Sequence, residues 1–86
     1  SYEEAWMVLD EIDSHLSEDA RLIDRKRQME RECQDFVKAY TQAVAFEESD
    51  RRPLALAWYL SALAEASSSP KLKERIEELG EEVVNH

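Results

Sequence analysis

The sequence predicts an all-α fold, and three observations support this prediction. The 86 residues include only one Gly and two Pro, which is typical of helices joined by short connections. Apolar residues recur every three or four positions along most of the chain, as on one face of a helix. Val, Ile and Thr are too sparse for several strands. We therefore expect one domain over residues 1–86: a small helical bundle with a long N-terminal helix and an antiparallel pair of shorter helices.

The long N-terminal helix is predicted within residues 1–47. Its apolar positions alternate steps of three and four, apart from a polar stretch in the middle: Tyr2, Ala5, Leu9, Ile12, Leu16, Ile23, Cys33, Val37, Tyr40 and Val44. This is the heptad spacing of a coiled-coil seam or a bundle face. No Gly or Pro interrupts the pattern, so we expect a continuous helix. The alternative is a break near Ser14–Ser17, where Ser17 would cap a second helix.

A continuous helix of this length would extend past a short bundle. Four apolar residues would then be bare in a monomer: Trp6, Leu9, Ile12 and Leu16. Such residues are expected to contact a partner protein or a second copy of the chain. Trp6 lies among acidic residues, as aromatic partner contacts often do; packing with Leu9 at a dimer seam is equally compatible with its position.

The charge of this segment is uneven. Residues 1–20 hold seven acids and no Lys or Arg, whereas residues 21–38 hold six bases and four acids. This pattern is typical of a solvated helix face. The alternatives are antiparallel pairing with a second copy and contact with a basic partner.

The central helix is predicted at residues 53–66. From Leu54 to Ala64 it is apolar almost all the way round, and a helix without a polar face must be covered by others. Pro53 suits the first helical turn, and Ser49 or Asp50 is the expected cap.

The last helix is predicted at residues 70–84, where Ser69 is the N-cap and Pro70 the first helical residue. Gly80 lies inside this range and costs about 1 kcal/mol relative to Ala, so fraying or an end at Gly80 is the alternative. The predicted core combines residues of all three helices: Phe36, Tyr40, Val44, Trp58, Tyr59, Leu63, Ile76 and Leu79.

Residues 39–79 carry small side chains where two helices would cross, each followed by an aromatic one turn later. These are Ala43 with Phe46, and Ala55 with Tyr59 and Ala62. In this the chain resembles a tetratricopeptide-repeat helical pair and, equally, the microtubule-interacting-and-transport (MIT) domain. Pro70 comes about three residues late for the tetratricopeptide pattern. A lone repeat would also be unusual, because at least three are normally needed for stability, and this favours the three-helix MIT-like interpretation.

The resemblance implies a scaffold that binds proteins or peptides. In a domain similar to MIT, a partner helix or extended peptide lies in a groove beside the third helix. Here the groove would be lined by six apolar residues of the last two helices: Leu56, Leu60, Leu63, Ile76, Leu79 and Val83.

Several kinds of chemistry are not expected. A net charge of -9 disfavours nucleic acid, and the basic cluster of residues 21–31 lacks the interleaved aromatics of such a site. The chain contains no run of about 18 apolar residues, so no membrane-spanning helix is predicted. His15 and Asp19 are only two ligands, which do not make a metal site. Cys33 lies on the apolar stripe and is predicted to be a core residue. No cofactor motif is found in the sequence.

The predicted function is therefore a non-catalytic protein–protein interaction module, an adaptor or scaffold that binds a helix or peptide of a partner. Two alternatives stay open: a self-associating, coiled-coil-like dimerisation domain, and a regulatory domain of a larger enzyme. A single cysteine predicts a reducing, cytoplasmic location. The start at Ser1 without Met predicts a fragment of a longer protein.

Overall fold

The computed structural model describes residues 2–12 and 19–85, and the described residues are almost entirely helical. They form α1 (Tyr2–Glu11), α2 (Ala20–Glu32), α3 (Gln34–Glu48), α4 (Arg52–Glu65) and α5 (Pro70–Val84). The all-α prediction is confirmed for this part of the chain. The sequence predicts one domain over 1–86, and within that span the helices sort into two compact units, residues 1–34 and residues 35–86.

The prediction of one continuous N-terminal helix is wrong. α1 ends at Glu11, and Asp19 has extended backbone angles, with φ -105° and ψ 99°. The Asp19 carboxylate accepts hydrogen bonds from the backbone N–H groups of Arg21 and Leu22, so it starts a new helix as an N-cap. The alternative break at Ser14–Ser17 falls outside the described residues, and the cap of α2 is Asp19 rather than Ser17.

A second break, between α2 and α3, was not predicted. Cys33 has φ -136° and ψ 50°, well away from helical values. Its backbone N–H and its Sγ both donate to the carbonyl oxygen of Met29, each at 3.0 Å. A hydroxyl that bonds back to the carbonyl four residues earlier often bends a helix, and the Cys33 thiol makes the equivalent bond. The break coincides with this bond, and no Gly or Pro lies there.

The first unit is an antiparallel hairpin of α1 and α2. Trp6 Nε1 donates to Glu30 Oε1 at 3.2 Å, and one turn further on Lys26 Nζ lies 3.0 Å from Asp10 Oδ1. A step of four residues forward on α1 is matched by a step of four residues backward on α2, so the two helices run antiparallel. Lys26 Nζ also lies 5.5 Å from the centre of the Trp6 ring, a cation–π distance. The acidic first segment therefore meets the basic second segment within one chain.

The second unit contains α3, α4 and α5. Tyr40 of α3 meets Tyr59 of α4 edge to face, with ring centres 5.6 Å apart. Arg52 begins α4 and its Nε lies 3.5 Å from Glu82 Oε2 near the end of α5, so α4 and α5 run antiparallel, as predicted. Small side chains are buried on two of the helices, where they allow close approach: Ala39 and Ala43 on α3, and Ala55 and Ala62 on α4.

The predicted core is confirmed in part. Phe36, Tyr59 and Leu79 are buried. Five other predicted core residues are only half-buried: Tyr40, Val44, Trp58, Leu63 and Ile76. The remaining buried positions of this unit are occupied by the alanines, Leu72 and the polar Ser69. Alanines fill the centre because helices with small side chains approach closely, which leaves larger neighbours at the edge of the contact.

The predicted helix ends have mixed outcomes. Ser69 caps α5, its Oγ accepting from the Leu72 N–H at 3.3 Å, as predicted. The cap predicted for α4 is wrong, because Arg51 occupies the N-cap position and makes no side-chain cap bond. Asp50 instead adopts a left-handed φ of 59° in the turn after α3. α5 continues through Gly80 to Val84, which is the predicted range, and the alternative end at Gly80 is not found.

Candidate functional site

The most unusual surface in the described structure is that of α4. Between Arg52 and Glu65 this helix has no charged side chain, yet only Ala55, Tyr59 and Ala62 are buried. The prediction that neighbouring helices cover α4 on every side is therefore wrong. A largely uncharged helix surface lies open in the structure.

Two large aliphatic side chains dominate this surface. Leu54 is 46% exposed and Leu60 is 49% exposed. Six residues separate them in sequence, which places them about 120° apart around a helix of 3.6 residues per turn. They therefore belong to two different faces of α4.

The first face is a strip of residues spaced by three and four that includes Leu54. We call it the Leu54 strip, and it consists of Arg51, Leu54, Trp58, Ser61 and Glu65. Trp58 is half-buried and the other four residues are exposed. Ala57 and Ala64, both exposed, lie beside it. The strip has one cation at its start, one anion at its end and uncharged residues between them.

The second face is on the side of Leu60, where the MIT-like resemblance predicts a groove. Leu56 and Leu63 of α4 and Ile76 and Val83 of α5 are half-buried. Leu79 is fully buried and offers no surface to a ligand. We call the five accessible residues the Leu60 groove: Leu56, Leu60, Leu63, Ile76 and Val83. The structure places them on two neighbouring antiparallel helices, and Leu60 is the most exposed of them.

The four predicted contact residues of the N-terminal segment have different positions. Trp6 is 3% exposed and Leu9 is 9% exposed, so the expectation that they would be bare is wrong. Ile12, just after α1, is 40% exposed. Leu16 lies outside the described residues. Folding α1 back onto α2 covers the tryptophan that sequence reasoning placed at a partner contact.

The second half of α5 is strongly acidic. Glu77, Glu78, Glu81 and Glu82 are all exposed, and no basic residue is in the last turn. Acidic side chains near the C-terminal end of a helix oppose its dipole. Two open depressions on this stretch are lined by these glutamates together with Gly80, Val84 and Asn85. Negative charge is therefore concentrated at this end of α5.

One polar cluster ties the three helices of the second unit together. The Tyr59 hydroxyl of α4 donates to Glu47 Oε1 of α3 at 2.6 Å. Arg75 of α5 donates to the same carboxylate oxygen through Nε at 3.3 Å and pairs with Glu47 through its terminal nitrogen. Burial, and then Tyr40 and Glu48, raise the pKa of Tyr59 well above its usual range. Tyr59 thus stays a neutral donor, which suits a structural role.

Two observations on the described residues bear on catalysis and metal binding. Burial, and then Glu3, Glu30 and Glu32, raise the pKa of the Cys33 thiol to about 11, so it is protonated at neutral pH and is a poor nucleophile. Among the residues that the structure describes, no group of three or more His, Cys, Asp or Glu side chains is placed to hold a metal ion. His15 and His86 lie outside the described part.

None of the described helices combines the length and apolar content that crossing a bilayer requires. Comparison with known protein families, curated proteins and solved structures finds no match to this chain. The resemblance to tetratricopeptide and MIT domains therefore stays a prediction from the sequence.

Proposed function

We propose that this chain is a non-catalytic protein-interaction module that binds a helix or extended peptide of a partner protein in the Leu60 groove. The observation that supports this most is the exposure of Leu60, at 49%, on a helix with no charged residue between Arg52 and Glu65. Burying a leucine side chain contributes about 1.5–3 kcal/mol. Leu60 is already half covered, so a partner that buries the rest of its side chain gains about half of this energy, without disturbing the buried contacts of the unit.

The chemistry of the partner follows from the residues around the groove. Leu56, Leu63, Ile76 and Val83 are half-buried and favour aliphatic anchors spaced by three and four residues, as in other helix-in-groove complexes. The exposed acids on the second half of α5 favour Lys or Arg beside those anchors. We therefore infer an amphipathic, basic ligand whose binding weakens as salt screens the charges. An adaptor or scaffold role in the cytoplasm stays a prediction from the sequence.

The proposal is tested by selecting 16-residue peptides from a randomised display library against the immobilised 86-residue chain. The enriched peptides are then synthesised, and their affinities are measured by calorimetry. Enriched peptides should carry aliphatic residues at helical spacing together with Lys or Arg. Leu60→Glu should weaken their binding at least tenfold, because a carboxylate would have to be buried against an aliphatic anchor.

The matched control is Leu54→Glu, which makes the same exchange on the same helix at nearly the same exposure, but on the other face. It should change peptide affinity less than twofold. Both variants should keep the wild-type circular dichroism spectrum, because Glu is a good helix former. Selected peptides that bind Leu60→Glu as tightly as the wild type, or a selection without enrichment, would contradict the proposal.

A further inference from the structure

The Leu54 strip is complementary to itself in size. Its large residues are Leu54 and Trp58, and its small ones are Ser61 and the adjacent Ala57. When two copies of α4 lie antiparallel, an advance along one helix matches a retreat along the other. With Leu54 opposite Ser61 of the second copy, Trp58 comes opposite its Ala57. By symmetry, Ser61 and Ala57 of the first copy lie opposite Leu54 and Trp58 of the second. Each of these four residue pairs therefore sets a large side chain against a small one, as close packing requires.

The strip is also complementary to itself in charge. The same antiparallel arrangement brings Arg51 at the start of one helix within a turn of Glu65 at the end of the other, twice per pair. Both side chains are exposed, and neither makes an ion pair with another described residue. The dipoles of two antiparallel helices also oppose each other favourably. A parallel arrangement would instead place Arg51 beside Arg51 and Glu65 beside Glu65.

From these two observations we propose that the Leu54 strip is a homodimer interface, formed by antiparallel pairing of α4 with α4 of a second copy. The interface is isologous, the commonest symmetry of soluble dimers. It uses a different face from the Leu60 groove and does not depend on the function proposed above. One pair of short helices buries less than a typical stable interface. The dimer is therefore weak and forms in a concentration-dependent way.

The charge arrangement allows a sharp test with two single variants, Arg51→Glu and Glu65→Arg. Each variant alone places like charges opposite each other in both end pairs of its own homodimer. Mixed in equal amounts, they restore opposite charges at both ends of the heterodimer. The double variant, Arg51→Glu with Glu65→Arg, restores them in its homodimer as well. Dissociation constants are measured by sedimentation equilibrium from about 10 μM to 1 mM at low salt, where exposed charge pairs are least screened.

The expected result is a homodimer weakened about fivefold or more in each single variant. The mixture and the double variant should return to within about twofold of the wild type. The matched control is a mixture of Lys38→Glu and Glu48→Arg, which carries the same net charges at exposed positions outside the strip. Both control variants should self-associate like the wild type, without a preference for the mixed pair. All these positions are exposed, so folding should be unaffected.

Three results would overturn the proposal: a wild-type chain that stays monomeric at 1 mM, a mixture no tighter than the single variants, and an equal preference for mixed pairs in the control mixture. The last result would assign the association to net charge rather than to the strip. None of these results bears on peptide binding at Leu60, so the two proposals fail separately.

Discussion

Glu47 connects more helices than any other side chain described above. Its carboxylate, on α3, accepts a hydrogen bond from the Tyr59 hydroxyl of α4 and pairs with Arg75 of α5. Hydrogen bonds to a charged acceptor are stronger than those between neutral groups. Glu47 therefore joins all three helices of the second unit through one carboxylate.

We expect Glu47→Gln to lower the free energy of unfolding by about 1–2 kcal/mol, because it removes the charge that the Tyr59 and Arg75 donors share. Urea unfolding followed by circular dichroism would measure this. Glu48→Gln is the matched control, because Glu48 is the next residue, is exposed and should change stability by less than about 0.5 kcal/mol. Equal effects of the two variants would show that the Glu47 cluster contributes nothing.

Cys33 makes the free energy of unfolding depend on pH in the alkaline range. Burial raises its pKa from 9.0 to about 11, so between these values the folded chain holds a proton that the unfolded chain has lost. The contribution of this group is therefore fully present below pH 9 and is lost as pH rises towards 11. The loss should amount to about 1 kcal/mol at pH 10.

Urea unfolding of the wild type and of Cys33→Ala between pH 8 and 11 would measure this difference. The wild type should lose stability more steeply than the variant above pH 9. The raised pKa of Tyr59 acts in the same direction in both proteins, so it cancels in the comparison. Parallel pH profiles for the two proteins would contradict the assignment.

The start of α5 was predictable because its signal is local. Ser69 followed by Pro70 is a helix start that needs no tertiary information, and α5 begins there. The break at Cys33 was not predictable, since a thiol bonded to the carbonyl of Met29 has no sequence signature. The Asp19 cap was also missed. The apolar spacing resumes after it at Ile23, and this spacing was given more weight than a single possible capping residue.

We expect Ser69→Ala to lower stability by about 1 kcal/mol, because it removes the acceptor of the Leu72 N–H at a buried N-cap. Ser67 and Ser68, in the same turn and exposed, provide matched controls that should each change stability by less than about 0.5 kcal/mol when replaced by Ala. Thermal unfolding of the three variants would test this. A Ser69→Ala protein as stable as the two controls would show that the cap bond has no stabilising role.

The hairpin of α1 and α2 distinguishes the structure most clearly from the sequence prediction. The apolar spacing is the same whether residues 2–46 form one helix or a helix folded back on itself, since both arrangements bury the same stripe. Pairings between residues distant in sequence, such as Trp6 with Glu30, decide between the two arrangements, and a single sequence does not reveal them.

Spin labels at Tyr2→Cys and Gln34→Cys, in a Cys33→Ala background, would measure this fold directly by electron–electron distance. In the hairpin Gln34 lies just past the end of α2, opposite Tyr2 at the start of α1, and the axes of packed helices are about 10 Å apart. In one continuous helix they would be about 48 Å apart. A label distance below about 25 Å is expected, and one near 48 Å would rule out the hairpin.

The candidate surfaces were only partly predictable. Leu56, Leu60 and Leu63 were placed in a groove from the sequence, and the structure does set Leu60 at the surface. The prediction missed Leu54, because a helix apolar all the way round was expected to be covered. Exposure depends on how many helices pack around α4, and the sequence does not fix that number.

α4 has two separate exposed faces with different roles, and the mass of the chain in solution tests this most directly. Light scattering from about 10 μM to 1 mM would be recorded for the wild type, Leu54→Glu and Leu60→Glu. We predict that the wild type and Leu60→Glu shift from monomer towards dimer, whereas Leu54→Glu stays monomeric. Masses that do not differ among the three proteins at any concentration would contradict it.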